Sequence, residues 1–353
     1  MNLFPQHIVL NGKKVSVDVF IGRIQKTDQE KEVAAFLKEW YSSDNFIEAR
    51  TSGSTGTPKI IRLKKEFVAE SAERTLNYFQ LKNGEQVLHC LPVKFIAGKL
   101  MIVRALIGRL DLYLAEPETD FSFLQKEKFR FAALVPHQVK KILDSEFAPG
   151  AWMRNIEILL VGGSAVPPAV EMRLQNVTTA CYSGYGMTET ATHIALRKVN
   201  GKGTDEFYHC LGNIYAGISK NGCLQIYMPG LPEQPFQTTD IAELKDDKTF
   251  RILGRSDNIL ISGGVKFSPE QIEKKLEPYI ANLFFITSLP HESLGEQLVL
   301  VVEGTENRDT AARLWKICRQ RLEKFEQPRQ IIFVSEIPKT GSGKPDRFRL
   351  LRL

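Results

Sequence analysis

The sequence predicts an α/β protein with a large N-terminal domain, built of mixed and parallel sheets layered with helices, and a small mobile α+β C-terminal domain. Two observations support this fold class. From residue 85 to residue 186, short apolar runs of strand length alternate with helix-periodic segments, which is typical of parallel strands covered by helices. After about residue 210 the pattern changes to paired strands, and a second helix-containing segment follows. We expect domains at 1–254 and 255–353.

The elements of the N-terminal domain follow one another closely. Strands are predicted at EQVLHCLP (85–92), DLYLAE (111–116), FRFAALVP (129–136), IEILLVGG (156–163) and TACYSGYG (179–186), and helices at AGKLMIVRALIG (97–108), HQVKKILDSEF (137–147) and PAVEMRLQ (168–175). In such sheets, ligands bind outside the carboxyl ends of the strands, where loops gather. The loops VGGSAVP (161–167) and YGMTET (185–190) both follow predicted strand ends and are therefore candidate site loops.

The second half of the chain begins with antiparallel strands. These are CLQIYMPG (223–230) and DIAELKDDKTFRILGR (240–255), the latter turning at KDDK. The segment SPEQIEKKLE predicts a helix with Ser268 as N-cap, Pro269 in the first turn, and Glu270 and Glu273 near its positive end. A strand at QLVLVVEG (297–304), a helix over 309–328 and a strand at QIIFVSEIP (330–338) complete the small domain.

Composition limits the function classes. The chain has 353 residues, 43% of them hydrophobic, and its formal net charge of +6 suits small polyanions such as nucleotides. It has no long basic block, so we expect no nucleic-acid partner. Five cysteines without a C-x-x-C pair indicate reduced, intracellular use, and His209, Cys210 and Cys223 lack zinc-like spacing. Without a secretory signal or an apolar run near the ~20 residues of a membrane span, we expect a cytoplasmic protein; its oligomeric state is open.

The stretch TSGSTGTPK (51–59) has the composition of an anion-binding loop. Its glycines let backbone N–H groups turn inward, its hydroxyl groups add donors, and its lysine adds charge. It is not a Walker A loop, because Pro58 stands where the second glycine belongs and Ile60 follows the lysine. Taken alone, the stretch is also compatible with a flexible Ser/Thr/Gly turn.

Five segments in a fixed order resolve that choice. TSGSTGTPK, YGMTET, TTDIAEL (238–244), GRSDNILISGG (254–264) and PKTGSGK (338–344) resemble the signature segments of the adenylate-forming superfamily, which includes acyl-CoA synthetases, peptide-synthetase adenylation domains and luciferases. The resemblance covers roughly residues 50–344. GMTETATHIAL (186–196) and LVPHQVKKIL (134–143) most resemble the o-succinylbenzoate–CoA ligases of menaquinone synthesis. The resemblance therefore implies ATP, Mg²⁺ and coenzyme A as cofactors or co-substrates, a small carboxylic acid as substrate, and AMP-forming ligase activity.

The resemblance also implies a role for each signature residue. The loop over the β- and γ-phosphates would comprise Thr51, Ser52, Gly53, Ser54, Thr55, Gly56, Thr57 and Lys59. Tyr185 would stack on adenine beside Gly186, and Gly162, Gly163 and Ser164 would form the opposite wall.

The remaining implied roles concern the reacting phosphate, the ribose and the second half-reaction. Thr188 would donate to the α-phosphate, Glu189 would hold Mg²⁺, and Lys344 would reach between the α-phosphate and the acyl carboxylate. Asp240 and Arg255 would bind the ribose. Asp257 resembles the hinge residue, and Gly263 and Gly264 would face the pantetheine arm of coenzyme A.

The acyl substrate is inferred from fewer residues. A dicarboxylic acid such as o-succinylbenzoate needs a cation, a donor cluster or water for the carboxylate that does not react. The cationic candidates near the expected pocket are Lys94, Lys99, Arg104, His193 and Arg197. We favour Thr192 and His193, which follow the Mg²⁺ glutamate; the alternative for both is packing on a helix surface.

Three departures from the family pattern bear on the prediction. Thr239 replaces a glycine, Asn258 replaces the second acidic residue of the hinge segment, and Phe95 replaces a histidine near the thiol tunnel. Only fifty residues precede the phosphate loop, fewer than the family usually has, so we expect a shortened N-terminal domain. The alternatives are a ligase for another aryl or acyl acid, a domain that loads a carrier protein, and a non-catalytic nucleotide-binding relative. The presence of both Glu189 and Lys344 argues against the last.

Overall fold

The structure is a computed structural model, and it describes residues 2–51, 59–118, 120–145 and 151–338. The chain packs as two compact units. The first comprises Met1–Ile214 and Met228–Pro232, and the second comprises Tyr215–Tyr227 and the residues from Glu233 onward. The predicted boundary between residues 254 and 255 falls inside the second unit. The expectation that residues 255–353 form a small mobile domain stays a prediction.

The first unit contains eleven strands and six α-helices within its described residues. The strands are β1 His7–Leu10, β2 Lys13–Ser16, β3 Phe46–Arg50, β4 Ile60–Lys64, β5 Gln86–His89, β6 Asp111–Leu114, β7 Phe129–Leu134, β8 Ile156–Val161, β9 Ala180–Met187, β10 Thr192–Lys198 and β11 Tyr208–Cys210. The helices are α1 Val17–Gly22, α2 Asp28–Trp40, α3 Lys65–Phe79, α4 Ile96–Gly108, α5 Pro136–Leu143 and α6 Pro168–Leu174.

A central sheet organises this unit in the order β11-β10-β9-β8-β7-β5-β6-β1-β2. The strands from β9 through β1 are parallel, whereas β10, β11 and β2 run antiparallel to their neighbours. Apart from the exposed Glu157, the sequence of β8 is apolar throughout, which suits a strand whose two faces are both covered. The predicted alternation of parallel strands and helices is therefore confirmed.

Two helices cover the sheet near the predicted site loops. In α3, apolar residues such as Phe67, Leu76 and Phe79 form the buried face. Helix α4 is apolar on nearly every side, and most of its side chains are buried. The two helices pack against each other and each contacts β10, so their inward-facing residues share one interior space.

The second unit contains two antiparallel systems and a small α+β layer. Its strands are β12 Tyr215–Ile218, β13 Cys223–Tyr227, β14 Phe236–Asp246, β15 Thr249–Arg255, β16 Leu260–Ser262, β17 Val265–Phe267, β18 Phe284–His291, β19 Gly295–Glu303 and β20 Gln330–Val334, and its helices are α7 Pro269–Leu276 and α8 Arg308–Arg321. Strands β18, β19 and β20 form a sheet, and side chains such as Ile272, Leu300 and Leu314 join it to both helices.

Some predicted elements differ from the structure. Ser268 occupies the N-cap position of α7, but its hydroxyl does not cap the helix: it donates to the Glu270 carboxylate at 3.0 Å and lies 3.3 Å from the carbonyl oxygen of Leu253. Helix α8 ends at Arg321, seven residues earlier than predicted. Thr192 and His193, for which packing on a helix surface was the alternative to substrate binding, lie in strand β10. No helix in the described ranges is long and apolar enough to cross a membrane.

Candidate functional site

The two predicted site loops lie side by side. Strands β8 and β9 are parallel neighbours, with Val161 opposite Ser183, and β9 continues four residues beyond that pair. The loop that starts at Gly162 therefore runs alongside the segment containing Tyr185. A Cβ atom built on Gly162 would meet nothing within 4 Å, which shows open space beside this loop. The roles of Gly162, Gly163, Ser164 and Tyr185 around adenine stay predictions.

Two residues hold this part of the sheet in place. The rings of Tyr185 and Tyr208 lie 5.8 Å apart, and the Tyr208 hydroxyl is 2.9 Å from Ser183 Oγ. Gly186 is imposed by the β9–β10 hairpin, because a Cβ atom there would lie 2.0 Å from the carbonyl oxygen of Thr192.

A tight turn from Thr188 to Ala191 presents the predicted catalytic residues. The Thr190 hydroxyl accepts from the Met187 N–H and lies 2.7 Å from the Thr192 carbonyl oxygen, so it fixes both ends of the turn. Ala191 and Thr192 have φ values of 50° and 89°, unusual for non-glycine residues and most of all for a β-branched one. This strained, pinned turn leaves Thr188 and Glu189 half-buried at the carboxyl edge of the sheet.

The base of the predicted phosphate loop is closed by backbone pairing. Strands β3 and β4 form an antiparallel hairpin, the Thr51 N–H donates to the Lys59 carbonyl, and the Lys59 N–H donates to Thr51 Oγ1. The predicted loop residues Ser52, Gly53, Ser54, Thr55, Gly56 and Thr57 lie outside the described residues, as does Lys344. Their roles stay predictions.

In the second unit, the predicted ribose and hinge residues form one cluster. Asp240 on β14 lies opposite Arg255 on β15, and Arg255 Nη1 is 3.3 Å from Asp240 Oδ1. The same guanidinium donates from Nε and Nη2 to both oxygens of Asp257, at 2.8 and 2.5 Å. The sequence predicted that Asp240 and Arg255 act together but gave no indication that Arg255 also holds the hinge residue.

The glycines assigned to coenzyme A have a structural requirement of their own. Gly263 and Gly264 connect β16 to β17, and both have positive φ values of 57° and 79°. A two-residue hairpin turn of this kind needs positive φ at both positions, which favours glycine. Nearby, the unusual Asn258 donates to Glu270 at 2.7 Å. The contact with coenzyme A stays a prediction.

The structure separates the candidates for the second carboxylate. Lys99 is buried and pairs with Glu39 at 2.5 Å, and Arg197 pairs with Glu171 at 2.5 Å, so each has its charge balanced within the protein. These two geometries argue against a free substrate cation at either position. Lys94 is exposed, with its ammonium 5.4 Å from the centre of the Phe95 ring.

Thr192 and His193 occupy strand β10 instead of a helix surface. His193 lies opposite Gly186 in the hairpin, is buried, and has Nε2 at 3.3 Å from Thr75 Oγ1 of helix α3. Burial, with added repulsion from Arg104 and Arg74, holds the pKa of His193 well below its ordinary value. The ring is therefore neutral at pH 7 and can accept or donate a hydrogen bond but cannot serve as a cation.

Sequence reasoning missed the polar side chains of helix α3 that face this hairpin. Ser71 donates to the Ala191 carbonyl at 2.6 Å, Thr75 contacts His193, and the charge of Arg74 acts on the same ring. The available signal was the recurrence of polar residues at 71, 74 and 75 on the face that otherwise carries Val68, Ala72 and Leu76.

Comparisons with known proteins agree with the fold and the signature segments. The family model described as AMP-binding enzyme matches residues 29–219, more than half of the chain, and the model described as AMP-binding enzyme C-terminal domain matches residues 277–344. The chain therefore belongs to the AMP-binding enzyme family.

Three known proteins resemble this chain over most of its length. A 2-succinylbenzoate–CoA ligase of Listeria monocytogenes serotype 4b (strain F2365) is 26% identical over 363 residues, covering 96% of this chain and 76% of that protein. A solved acyl-CoA synthetase (AMP-forming)/AMP-acid ligase II-like protein of Dyadobacter fermentans DSM 18053 is 32% identical with a TM-score of 0.63, covering 96% of this chain and 97% of that one. An o-succinylbenzoate CoA synthetase of Bacillus subtilis, solved with its acyl-adenylate intermediate, has a TM-score of 0.72 at 19% identity, covering 86% and 68%, and shows the shared fold alone.

Proposed function

We propose that the protein is an AMP-forming acid–CoA ligase that adenylates a carboxylate of 2-succinylbenzoate and transfers the acyl group to coenzyme A. The observation that carries this proposal is the side-by-side placement of the Gly162 loop and the Tyr185–Glu189 segment on adjacent parallel strands. The 2-succinylbenzoate–CoA ligase of Listeria, which aligns with nearly the whole chain, supports the choice of substrate.

In the first half-reaction, the substrate carboxylate attacks the α-phosphorus of ATP. It is already ionised at pH 7, so the protein need not remove a proton, and its task is to bring two anions together. Thr188 would donate to the α-phosphate from a turn that Thr190 and Ser71 hold in place. Because the turn is already strained and pinned, little reorganisation accompanies the reaction.

A magnesium ion fits this site only with help from the nucleotide. When bound, Mg²⁺ neutralises developing phosphate charge. Glu189 would supply a carboxylate ligand, and across the described parts of the chain no group of three or more His, Cys, Asp or Glu residues is placed to hold a metal. Phosphate oxygens and water would therefore complete the coordination, as is usual for magnesium at nucleotide sites.

In the second half-reaction, the coenzyme A thiol attacks the acyl carbon and AMP leaves. The family resemblance assigns the exchange between the two half-reactions to rotation about Asp257 and withdrawal of Lys344. The hydrogen bonds from the Arg255 guanidinium to Asp257 support a hinge role. They connect the residue about which the small domain would rotate with Arg255 and Asp240, the residues that would bind the ribose.

The direct test measures pyrophosphate and AMP release with 2-succinylbenzoate, benzoate and a medium-chain fatty acid, each with and without coenzyme A. We expect 2-succinylbenzoate to give the highest kcat/KM, and acyl-CoA to form only when coenzyme A is present. If the enzyme prefers another acid, the proposed ligase activity stands and the proposed substrate is wrong. Silence with every acid would instead favour a nucleotide-binding relative without catalysis.

A further inference from the structure

One hydrogen bond fastens the turn that presents Thr188 and Glu189 to helix α3. The Ser71 hydroxyl donates to the carbonyl of Ala191 at 2.6 Å, and Ser71 is only 1% exposed. The other hydrogen bonds of the turn, those of the Thr190 hydroxyl and of the backbone, stay inside the β9–β10 hairpin. Across the described residues, the bond from Ser71 is the one hydrogen bond found between this turn and an element outside the hairpin.

Packing alone does not account for a serine at this position of α3. Val68, Ala72 and Leu76 lie on the same face of the helix and are buried. Alanine favours a helix more than serine does, and a buried hydroxyl group costs free energy unless it has a partner. The hydroxyl of Ser71 therefore has its main use in the bond to Ala191.

The backbone that Ser71 binds is held in a strained conformation. Ala191 and Thr192 have φ values of 50° and 89°, which is most costly for the β-branched threonine. Such a conformation persists where surrounding contacts hold it in place. The Ala191 N–H donates to the Thr188 carbonyl at 3.1 Å, so a turn that relaxed at Ala191 would carry the predicted catalytic residues with it.

Helix α3 also leads to the predicted phosphate loop. Strand β4 passes directly into the helix, which begins at Lys65. The other end of β4 adjoins the base of the loop, which the hydrogen bonds between Thr51 and Lys59 close. Ser71 is six residues into the helix, about 9 Å from its start by helical rise. One continuous stretch of β4 and α3 therefore connects the base of the loop with the turn.

We propose that Ser71 is a positioning residue for the adenylation step. Its hydrogen bond to Ala191 sets the place of Thr188 and Glu189 relative to the phosphate loop, so that the turn and the loop can hold different phosphates of one nucleotide. This inference rests on the proposed ligase function. It applies only while the β- and γ-phosphates are present. Pyrophosphate has left before the thiol attacks, so the second half-reaction does not need this alignment.

The test compares Ser71→Ala with the wild type in single-turnover measurements of each half-reaction. We expect adenylation of 2-succinylbenzoate to slow by roughly 10- to 100-fold, because a misplacement of about 1 Å can cost that much in rate. Acyl transfer from pre-made acyl-adenylate to coenzyme A should stay close to the wild-type rate. A residue that merely supports the fold would slow both half-reactions to a similar extent.

A second measurement does not depend on turnover. ATP should raise the melting temperature of both proteins, and Mg²⁺ should add a further rise in the wild type, because Glu189 would be one of its ligands. In Ser71→Ala this further rise should shrink, since the loss of a group that orients a metal ligand typically weakens metal binding about 10- to 100-fold.

Two further variants separate the hydroxyl group from packing. Ser71→Thr keeps the hydroxyl and adds a methyl group, so we expect a lower melting temperature but a ratio of the two half-reaction rates close to that of the wild type. Thr179→Val is the matched control. It removes another buried hydroxyl that donates to a backbone carbonyl, that of Met153, just before β9 at the end away from the turn. This control should lower the melting temperature without changing the ratio.

Three results would overturn the inference: an unchanged adenylation rate in Ser71→Ala, an equal loss in both half-reactions, or the same loss of adenylation in Ser71→Thr as in Ser71→Ala. Failure of the ligase proposal itself looks different, because the wild type would then release no pyrophosphate with any acid. In that case an undiminished Mg²⁺-dependent rise in the melting temperature of Ser71→Ala would still refute the role of Ser71.

Discussion

Glycine serves two different purposes at the carboxyl edge of the central sheet. At Gly186 the backbone of the partner strand is so close that a side chain would collide with the Thr192 carbonyl, so the residue is required for folding. At Gly162 a Cβ atom would project into empty space, so folding does not require glycine there. We therefore expect the absence of a side chain at Gly162 to serve nucleotide binding.

This contrast gives a matched pair of substitutions. Gly186→Ala should destabilise the protein by about 1–3 kcal/mol, the usual cost of overpacking, because the backbone it meets cannot rotate away. Gly162→Ala should leave stability within about 0.5 kcal/mol while weakening ATP binding. Urea unfolding and nucleotide titration of both variants measure the two effects, and equal stability losses would refute the assigned roles.

At the scale of elements, helix α2 ties the N-terminal segment to the loop before α4. Gln29 donates to the Leu91 carbonyl, Glu32 accepts from the Val93 N–H, and Glu39 pairs with buried Lys99. The loop they hold contains Phe95, the residue that departs from the family pattern. These contacts indicate that α2 fixes the shape of this loop.

The ion pair between Glu39 of α2 and Lys99 of α4 is therefore structural. Its loss should lower the free energy of unfolding. Lys99→Met leaves the partly buried Glu39 carboxylate without its cation, and we expect a loss of about 1–3 kcal/mol in unfolding free energy. Glu39→Gln in the same chain should recover part of it, because the uncompensated charge is gone. Urea unfolding of both variants measures this, and a double variant no more stable than the single one would contradict the account.

The acid preference of Lys99→Met supplies a second readout. Because Lys99 is already paired, the ratio of diacid to monoacid turnover should stay close to that of the wild type. A large fall in this ratio would instead indicate that Lys99 binds the second carboxylate of the substrate.

The elements that the sequence predicted share one property. The strands β5, β6, β7 and β8 are short, mostly apolar runs bounded by turn residues, and their pattern depends on local sequence alone. Strand β10 was missed because Thr192 and His193 look polar, yet the antiparallel hairpin buries them against α3. Arg74 and Thr75 were missed for the same reason. They act on His193 only because helix α3 packs against the β9–β10 hairpin, and the periodicity of one segment carries no information about its contacts with a distant one. The signature residues could be recognised, whereas Arg255 bridging Asp240 and Asp257 could be seen only in three dimensions.

At the scale of the whole molecule, the residues assigned to the nucleotide belong to two units. The Gly162 loop and the Tyr185–Glu189 turn lie in the first, whereas Asp240, Arg255 and Asp257 lie in the second. The packing thus groups strands β12–β15 with the C-terminal elements, although the family resemblance would rotate only the part after Asp257. Both descriptions agree that the residues from Asp257 onward belong outside the first unit.

A two-step enzyme of this design should lose its half-reactions separately. By resemblance, Lys344 stabilises the charge that develops during adenylation and is withdrawn before the thiol attacks. Lys344→Ala should therefore slow adenylation by roughly 10²–10³-fold, the scale of one lost transition-state donor. Thioester formation from pre-made acyl-adenylate should stay close to the wild-type rate. The exposed Lys14→Ala variant on strand β2 controls for the loss of one surface charge. Single-turnover experiments measure the rate of each half-reaction separately. An equal loss in both would mean that Lys344 supports the fold or nucleotide binding in general. The proposed withdrawal of Lys344 between the two half-reactions would then have no support.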